Sequence, residues 1–196
     1  MSNKKDAELI LQVQSGSLEA LGLLYDRHRV LVYRTVLAIT GDTEIASDLL
    51  QDVFLRLYRF IDRVDITRPL EPWLYRMSAN LAYTFMKRNR NWLQPLDDMA
   101  EWLGSPGKST PHELVERQDD LDHIQHALSG LSLSQRVVVV LYYLNDLSLQ
   151  EIAEILEIPV GTVKSRLHYG RQTLKKKLGV RGLTGSEKLP DFTYES

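Results

Sequence analysis

The chain has 196 residues, enough for one or two domains, and its 43% hydrophobic content allows real cores. It carries no cysteine, which excludes disulfides, zinc–cysteine sites and thiol chemistry, and its net charge of −2 is unlike a protein that holds DNA alone through counterion release. No N-terminal run pairs a basic with an apolar segment, and no apolar stretch reaches about 18 residues, so neither a signal peptide nor membrane insertion is expected and the expected location is the cytoplasm.

Residues 6–40 read as two helices, Ala7 to Gln14 and Leu18 to Ile39, separated by Ser15-Gly16-Ser17. The second shows Leu21, Leu24, Tyr25, Val32, Val36 and Ile39 at helical spacing. Gly41-Asp42-Thr43 breaks the pattern and offers a cap. Glu44 to Ile61 follows, with Ile45, Leu49, Val53, Leu57, Phe60 and Ile61 as its buried stripe and Asp48, Gln51, Asp52 and Arg56 off it. Residues 62–70 read as a loop with Pro69 near its end. A helix from Glu71 to Arg90 then starts on Pro72, a position where a missing amide costs nothing. It points Leu74, Met77, Leu81 and Phe85 inward and ends in Lys87, Arg88, Asn89 and Arg90. Basic side chains beside Trp73 and Tyr83 suit single-stranded nucleic acid, since cations track phosphate and rings stack on bases; a packed Trp and Tyr with a cationic helix end is the plain alternative.

Residues 93–122 carry 2 basic and 8 acidic side chains, whereas residues 1–92 carry 13 and 11. Pro95, Gly104, Pro106, Gly107 and Pro111 make 93–112 a linker, and Trp92, Leu93, Leu96, Met99, Trp102 and Leu103 make it too apolar for a plain tether. Residues 113–130 read as an amphipathic helix, and another starts at Leu131 to Ser134 and runs to Leu144. Residues 179–196 read as a flexible tail.

Between Leu147 and Leu178 the pattern is sharpest. Ser148 and Glu151 form a capping box, and Ile152, Ala153, Ile155 and Leu156 give the short helix an apolar face. Glu157-Ile158-Pro159 interrupts it, because proline disfavours helical conformation in the residue before it. A second helix restarts near Gly161 or Thr162, with Val163, Leu167, Gly170, Leu174 and Leu178 on one stripe and Lys164, Ser165, His168, Tyr169, Arg171, Gln172 and Lys175 away from it. From Val160 to Gly182 there are seven Lys or Arg and no acid. A capped short helix followed by a helix packed on one side and basic on the other fits a helix-turn-helix reader of the major groove; the alternative is a solvated hairpin in a helical bundle.

Three stretches together resemble the bacterial sigma-70 family, most closely the extracytoplasmic-function (ECF) group, which keeps regions 2 and 4 of the family. Asp48-Leu49-Leu50-Gln51-Asp52-Val53-Phe54 is similar to region 2.2, which docks on the β′ clamp helices of RNA polymerase. Pro72-Trp73-Leu74 through Asn80-Leu81-Ala82 to Lys87-Arg88 is similar to regions 2.3 and 2.4, which melt and read the −10 element. Ile152-Ala153-Glu154 with Pro159 to Leu167 is similar to region 4.2, which reads the −35 element. The family often has Asp where Thr84 stands and Arg-Ala where Tyr169-Gly170 stands, and the glycine costs up to about 1 kcal/mol relative to alanine in a helix interior.

The resemblance implies an all-α fold of two small helical domains joined by an extended linker. Region 2 would occupy 1–92, the acidic linker 93–112, region 4 with its helix-turn-helix 113–178, and the tail 179–196. It implies a promoter-specificity subunit, not an enzyme, needing no cofactor or metal. Its partners would be core RNA polymerase (β′ clamp helices and β subunit), promoter DNA and an anti-sigma protein. By resemblance the linker lies in the channel that RNA later occupies. Lys164, Ser165, His168 and Tyr169 would meet base edges or nearby phosphates at −35, and Arg166, Arg171 and Lys175 would hold phosphate. Asn80, Tyr83, Lys87 and Arg88, with the loop Asp65 to Leu70, would meet the −10 strand. Asp48, Gln51, Asp52 and Phe54 would face polymerase, with the core as the alternative place for Phe54. The competing readings are a stand-alone helix-turn-helix regulator and a helical adaptor that binds only proteins.

Overall fold

The computed structural model describes residues 2–89 and 124–178; the linker, the tail and most of the helix expected over 113–130 lie outside them. Among the described residues there is no strand. Four helices come first: α1 (Ser2–Gln14), α2 (Leu18–Thr40), α3 (Thr43–Arg59) and, after a single 3-10 turn (Ile61–Arg63), α4 (Glu71–Asn89). Residues 124–129 are helical, and then come α5 (Leu133–Tyr143), α6 (Leu149–Leu156) and α7 (Val160–Leu178).

The helix limits follow from local chemistry. Ser17 caps α2 by accepting from the Ala20 amide. Gly41 ends α2 in the left-handed conformation (φ 75°), which costs glycine nothing. Asp42 then starts α3 by accepting from the Glu44 and Ile45 amides. The expected end of α3 at Ile61 falls two residues late, because Phe60 leaves the helical conformation and Ile61 turns inward in the 3-10 turn.

The long helix α2 is the axis against which α1, α3 and α4 pack. Its Leu24, Val32, Val36 and Ile39 meet a core that includes Ile10, Val53, Leu57, Leu70 and Leu74. On α4 the inward set also includes Ser78, Ala79 and Ala82, whose small side chains are fully buried or nearly so.

Helix α5 differs from the rest. Val137, Val138, Val139, Val140 and Leu141 are five consecutive buried residues. A helix that is apolar all round must be covered all round. Here α5 touches α6 and α7 on one side and α2 and α4 on the other, so it lies between the two helical units.

Candidate nucleic-acid interface

The helix-turn-helix is built as its sequence requires. Ser148 Oγ accepts from the Glu151 amide, and the Glu151 carboxylate accepts from the Ser148 amide at 2.8 Å. The Ser148 hydroxyl and amide hold the Glu151 carboxyl below its ordinary pKa. The end of α6 comes one residue earlier than proline alone would put it. Glu157 adopts the left-handed conformation (φ 54°), and the Ile158 amide reaches back to the Ala153 carbonyl at 3.1 Å. Pro159 then offers its carbonyl to the amides of Thr162 and Val163, so α7 begins at Val160.

Helix α7 buries Val163, Leu167, Gly170 and Leu174 and exposes Lys164, Ser165, His168, Tyr169, Gln172 and Lys175. The sequence placed these correctly on opposite faces. Tyr169 is 57% exposed, with its ring set edge-on to His168 at 5.4 Å. His168 Nε2 lies 3.0 Å from the Gln172 amide nitrogen. Arg166 is half-buried. Arg171 departs from expectation: its Nε donates to Tyr143 Oη at 2.7 Å, and its guanidinium lies over the rings of Tyr142 (5.3 Å) and Tyr143 (5.5 Å). These contacts tie α7 to α5.

Gly170 has a structural reason that its sequence hid. A Cβ built there would sit 2.8 Å from Val139 Cγ2, so its missing side chain is what lets α7 approach α5.

On α4, Asn80, Tyr83, Thr84, Lys87 and Arg88 are all exposed, and Tyr83 is 38% exposed. Trp73 is half-buried against the core, as the plain alternative had it. The loop before α4 is pinned at both ends by buried Val64 and Leu70. Between them Asp65 accepts from the Thr67 hydroxyl at 2.6 Å and the Thr67 amide at 2.9 Å, with Arg68 3.4 Å away. These contacts, the Thr67 hydroxyl first, hold the Asp65 carboxyl below its ordinary pKa. The loop therefore presents Thr67, Arg68 and Pro69 on a fixed frame.

On α3, Asp48, Gln51 and Asp52 are exposed as expected, but Phe54 is not. It is 5% exposed, and its ring meets Tyr25 edge-on at 4.9 Å. The apolar residues on the outer face are Leu55, 62% exposed, and Tyr58, 44% exposed. Neither was singled out, although Leu55 follows Gln51 by one helical turn.

One cluster of possible metal ligands exists among the described residues. Ligand atoms of Asp6, His28 and Glu71 lie within 4.8 Å of one another. Asp6 is already engaged, with Arg27 on one oxygen and His28 Nε2 3.0 Å from the other. The arrangement reads as a polar brace tying α1 to α2. Among the described residues, no helix is long and apolar enough to cross a membrane.

A cysteine-free helical pair of units, one ending in a helix-turn-helix and the other exposing an aromatic and basic helix, defines a DNA-reading protein of the sigma-70 class. Residues 24–91 match the description "Sigma-70 region 2", and residues 121–174 match "Sigma-70, region 4". The chain is 35% identical over 179 residues to the ECF RNA polymerase sigma factor SigW of Bacillus subtilis, covering 86% of this chain and 94% of that protein. It is 35% identical over 164 residues to the ECF RNA polymerase sigma factor SigL of Mycobacterium tuberculosis, covering 82% and 90%. The fold is shared with CnrH, solved in complex with the cytosolic domain of CnrY (TM-score 0.65, 23% identity, 91% of this chain and 99% of that chain). It is shared equally with RpoE, solved with the anti-sigma factor NepR from Bartonella quintana (TM-score 0.65, 22% identity, 84% and 100%).

The chain belongs to the sigma-70 family, in its ECF group. It is a sigma factor that binds core RNA polymerase and directs promoter-specific transcription initiation. Sigma factors are generally not enzymes.

Proposed function

We propose that initiation by this sigma factor is divided among three exposed faces. The observation that carries the reading is the opposite facing of basic and apolar residues on α7, where Lys164, Ser165, His168 and Tyr169 are exposed over a buried Val163–Leu167–Leu174 stripe. Those four side chains meet base edges or adjacent phosphates of the −35 element in the major groove. Arg166 and Lys175 hold phosphate and so set register. Arg171 acts through Tyr142 and Tyr143, by keeping α7 at its angle to α5.

Asn80, Tyr83, Lys87 and Arg88 of α4, with the loop at Asp65–Leu70, take the −10 strand. Unstacking a base costs a few kcal/mol, so the site must offset that with stacking and phosphate contacts. Tyr83 supplies the ring, Lys87 and Arg88 supply charge, and the rigid loop supplies polar edges that need no reordering on binding. Asp48, Gln51 and Asp52, with Leu55 and Tyr58, face the polymerase β′ clamp helices, acids at the rim and apolar groups at the centre.

The region 2 domain is assigned to 1–92, the linker to 93–112, region 4 to 113–178 and the tail to 179–196. A protein of this kind works beside the nucleoid in the cytoplasm and is held inactive by an anti-sigma protein until it is needed. It carries out no chemical step itself and needs no cofactor. The assignment of faces is tested by base-specific crosslinking of holoenzyme on promoter DNA. Crosslinks from position 168 or 169 to the −35 element and from position 83 to the −10 strand are expected; crosslinks exchanged between the two would overturn it.

A further inference from the structure

The outward ridge of α7 has an uncharged middle. Lys164, His168, Gln172 and Lys176 follow one another at four-residue intervals and are all exposed. They therefore lie along one ridge of the helix, about 18 Å from first to last. Lysine stands at both ends, and an imidazole and an amide stand between them. Phosphate attracts the cations but carries no sequence information, whereas uncharged donors and acceptors gain most at base edges. The middle pair is where this ridge is best equipped to tell one base from another.

That pair is set by its own contacts. The Gln172 amide nitrogen lies 3.0 Å from His168 Nε2. An amide nitrogen only donates, so Nε2 accepts, and the ring is neutral with its proton on Nδ1. The Tyr169 ring meets the imidazole edge-on at 5.4 Å, with 79° between the planes, and limits its rotation from a second side. Helix α7 carries no carboxylate, so no acid of the helix competes with Gln172 for the ring.

We infer, resting on the −35 role proposed above, that His168 reads the −35 element as a hydrogen-bond donor through Nδ1, and that Gln172 is the positioning residue that holds it so. A donor there fits an acceptor in the major groove. Guanine offers two, N7 and O6, whereas a cytosine on the same strand offers only its N4 amino donor. The pair therefore selects guanine over cytosine at one position. The opposite tautomer, with the proton on Nε2 and an accepting Nδ1, would instead favour the amino groups of cytosine and adenine. The hydrogen bond from Gln172 thus decides which base is preferred, although Gln172 itself touches none. Holding the ring beforehand also lowers the entropy lost in ordering it on DNA.

Both side chains are exposed, so substitutions there should leave the melting temperature unchanged. Nitrogen NMR of the full-length protein with labelled histidine reads the tautomer directly, at a pH where histidine is neutral. The chain has five histidines, and His168→Phe identifies the signals of His168. They should show the proton on Nδ1, and Gln172→Met, which keeps the side-chain length and removes the amide, should mix the tautomers. Holoenzyme binding is then measured on promoter duplexes carrying each base in turn along the −35 element. The wild type should prefer guanine over cytosine at one position by about threefold to tenfold, the contribution of a single neutral hydrogen bond. His168→Phe and Gln172→Met should both lose that preference and keep the others. Gln172→Lys, which returns a donor to Nε2, should regain it. A proton on Nε2 in the wild type, or full preference kept in Gln172→Met, would overturn the inference. A wild-type holoenzyme indifferent to the −35 sequence throughout would instead strike the −35 role itself, and the inference with it.

Discussion

Phe54 and Leu55 are neighbours in the chain and face opposite ways: Phe54 is 5% exposed with its ring edge against Tyr25, and Leu55 is 62% exposed on the outer face of α3. On the polymerase face proposed above, the pair would separate folding from partner binding within one helical turn. Phe54→Ala should cost about 3–5 kcal/mol of stability, read by denaturant unfolding. Leu55→Glu should leave unfolding nearly unchanged and weaken binding to core polymerase at least tenfold, read by titration. Equal loss of stability in both variants would remove Leu55 from the polymerase face.

Gly170 invites the usual helix-stabilising change, and the structure predicts the opposite outcome. Alanine at a helix interior gains up to about 1 kcal/mol over glycine. Here its Cβ would meet Val139 Cγ2 at 2.8 Å, and Val139 is buried and stiff about χ1. Overpacking of this kind costs about 1–3 kcal/mol. Gly170→Ala should therefore lower the melting temperature; a higher one would show that α5 and α7 can part without loss.

The capping box at Ser148 and Glu151 gives a pH signature. The folded Glu151 pKa is depressed, so its contribution to stability is present above the unfolded value of about 4.3 and is lost as pH falls through the lower folded value. Ser148→Ala should cost about 1 kcal/mol at neutral pH, and the gap between wild type and variant should narrow in acid. A gap that stays constant to the lowest accessible pH would mean that the carboxylate contributes nothing. The group is well exposed, so the acid effect is small beside the cap itself.

Tyr83 and Lys164 test the two reading faces separately. Tyr83→Ala should weaken holoenzyme binding to a single-stranded −10 oligonucleotide by about 1–3 kcal/mol. Lys164→Ala should cost about 1–3 kcal/mol on a duplex carrying the −35 element and relax preference at one position there. If each variant affected both probes equally, the faces would not be independent.

Much of this was legible in the sequence, for physical reasons. The helix-turn-helix could be read because its signals are local: a Ser and a Glu three residues apart, a stripe at 3.6-residue spacing, and a basic face with no acid. Helix α4 was legible for the same reason, although its pattern left open whether Trp73 and Tyr83 pack or face solvent, and the structure divides them. Phe54 could not be told from Leu55, because two adjacent apolar residues both lie near the edge of the buried arc and only Tyr25, 29 residues earlier, decides between them. The seam between the two helical units was illegible because Arg136, Asn145 and Arg76 find partners 97, 110 and 81 residues away, and each looks in sequence like a solvated group. One clue was present: Val137 to Leu144 is apolar on every side, and such a helix needs a second layer.

The central claim is tested most directly by mixing the purified chain with bacterial core RNA polymerase and measuring run-off transcription from promoter DNA. The account predicts a stable complex and initiation that depends on both promoter elements. Tight duplex binding by the free protein, with no association with core polymerase and no promoter-dependent transcript, would contradict it.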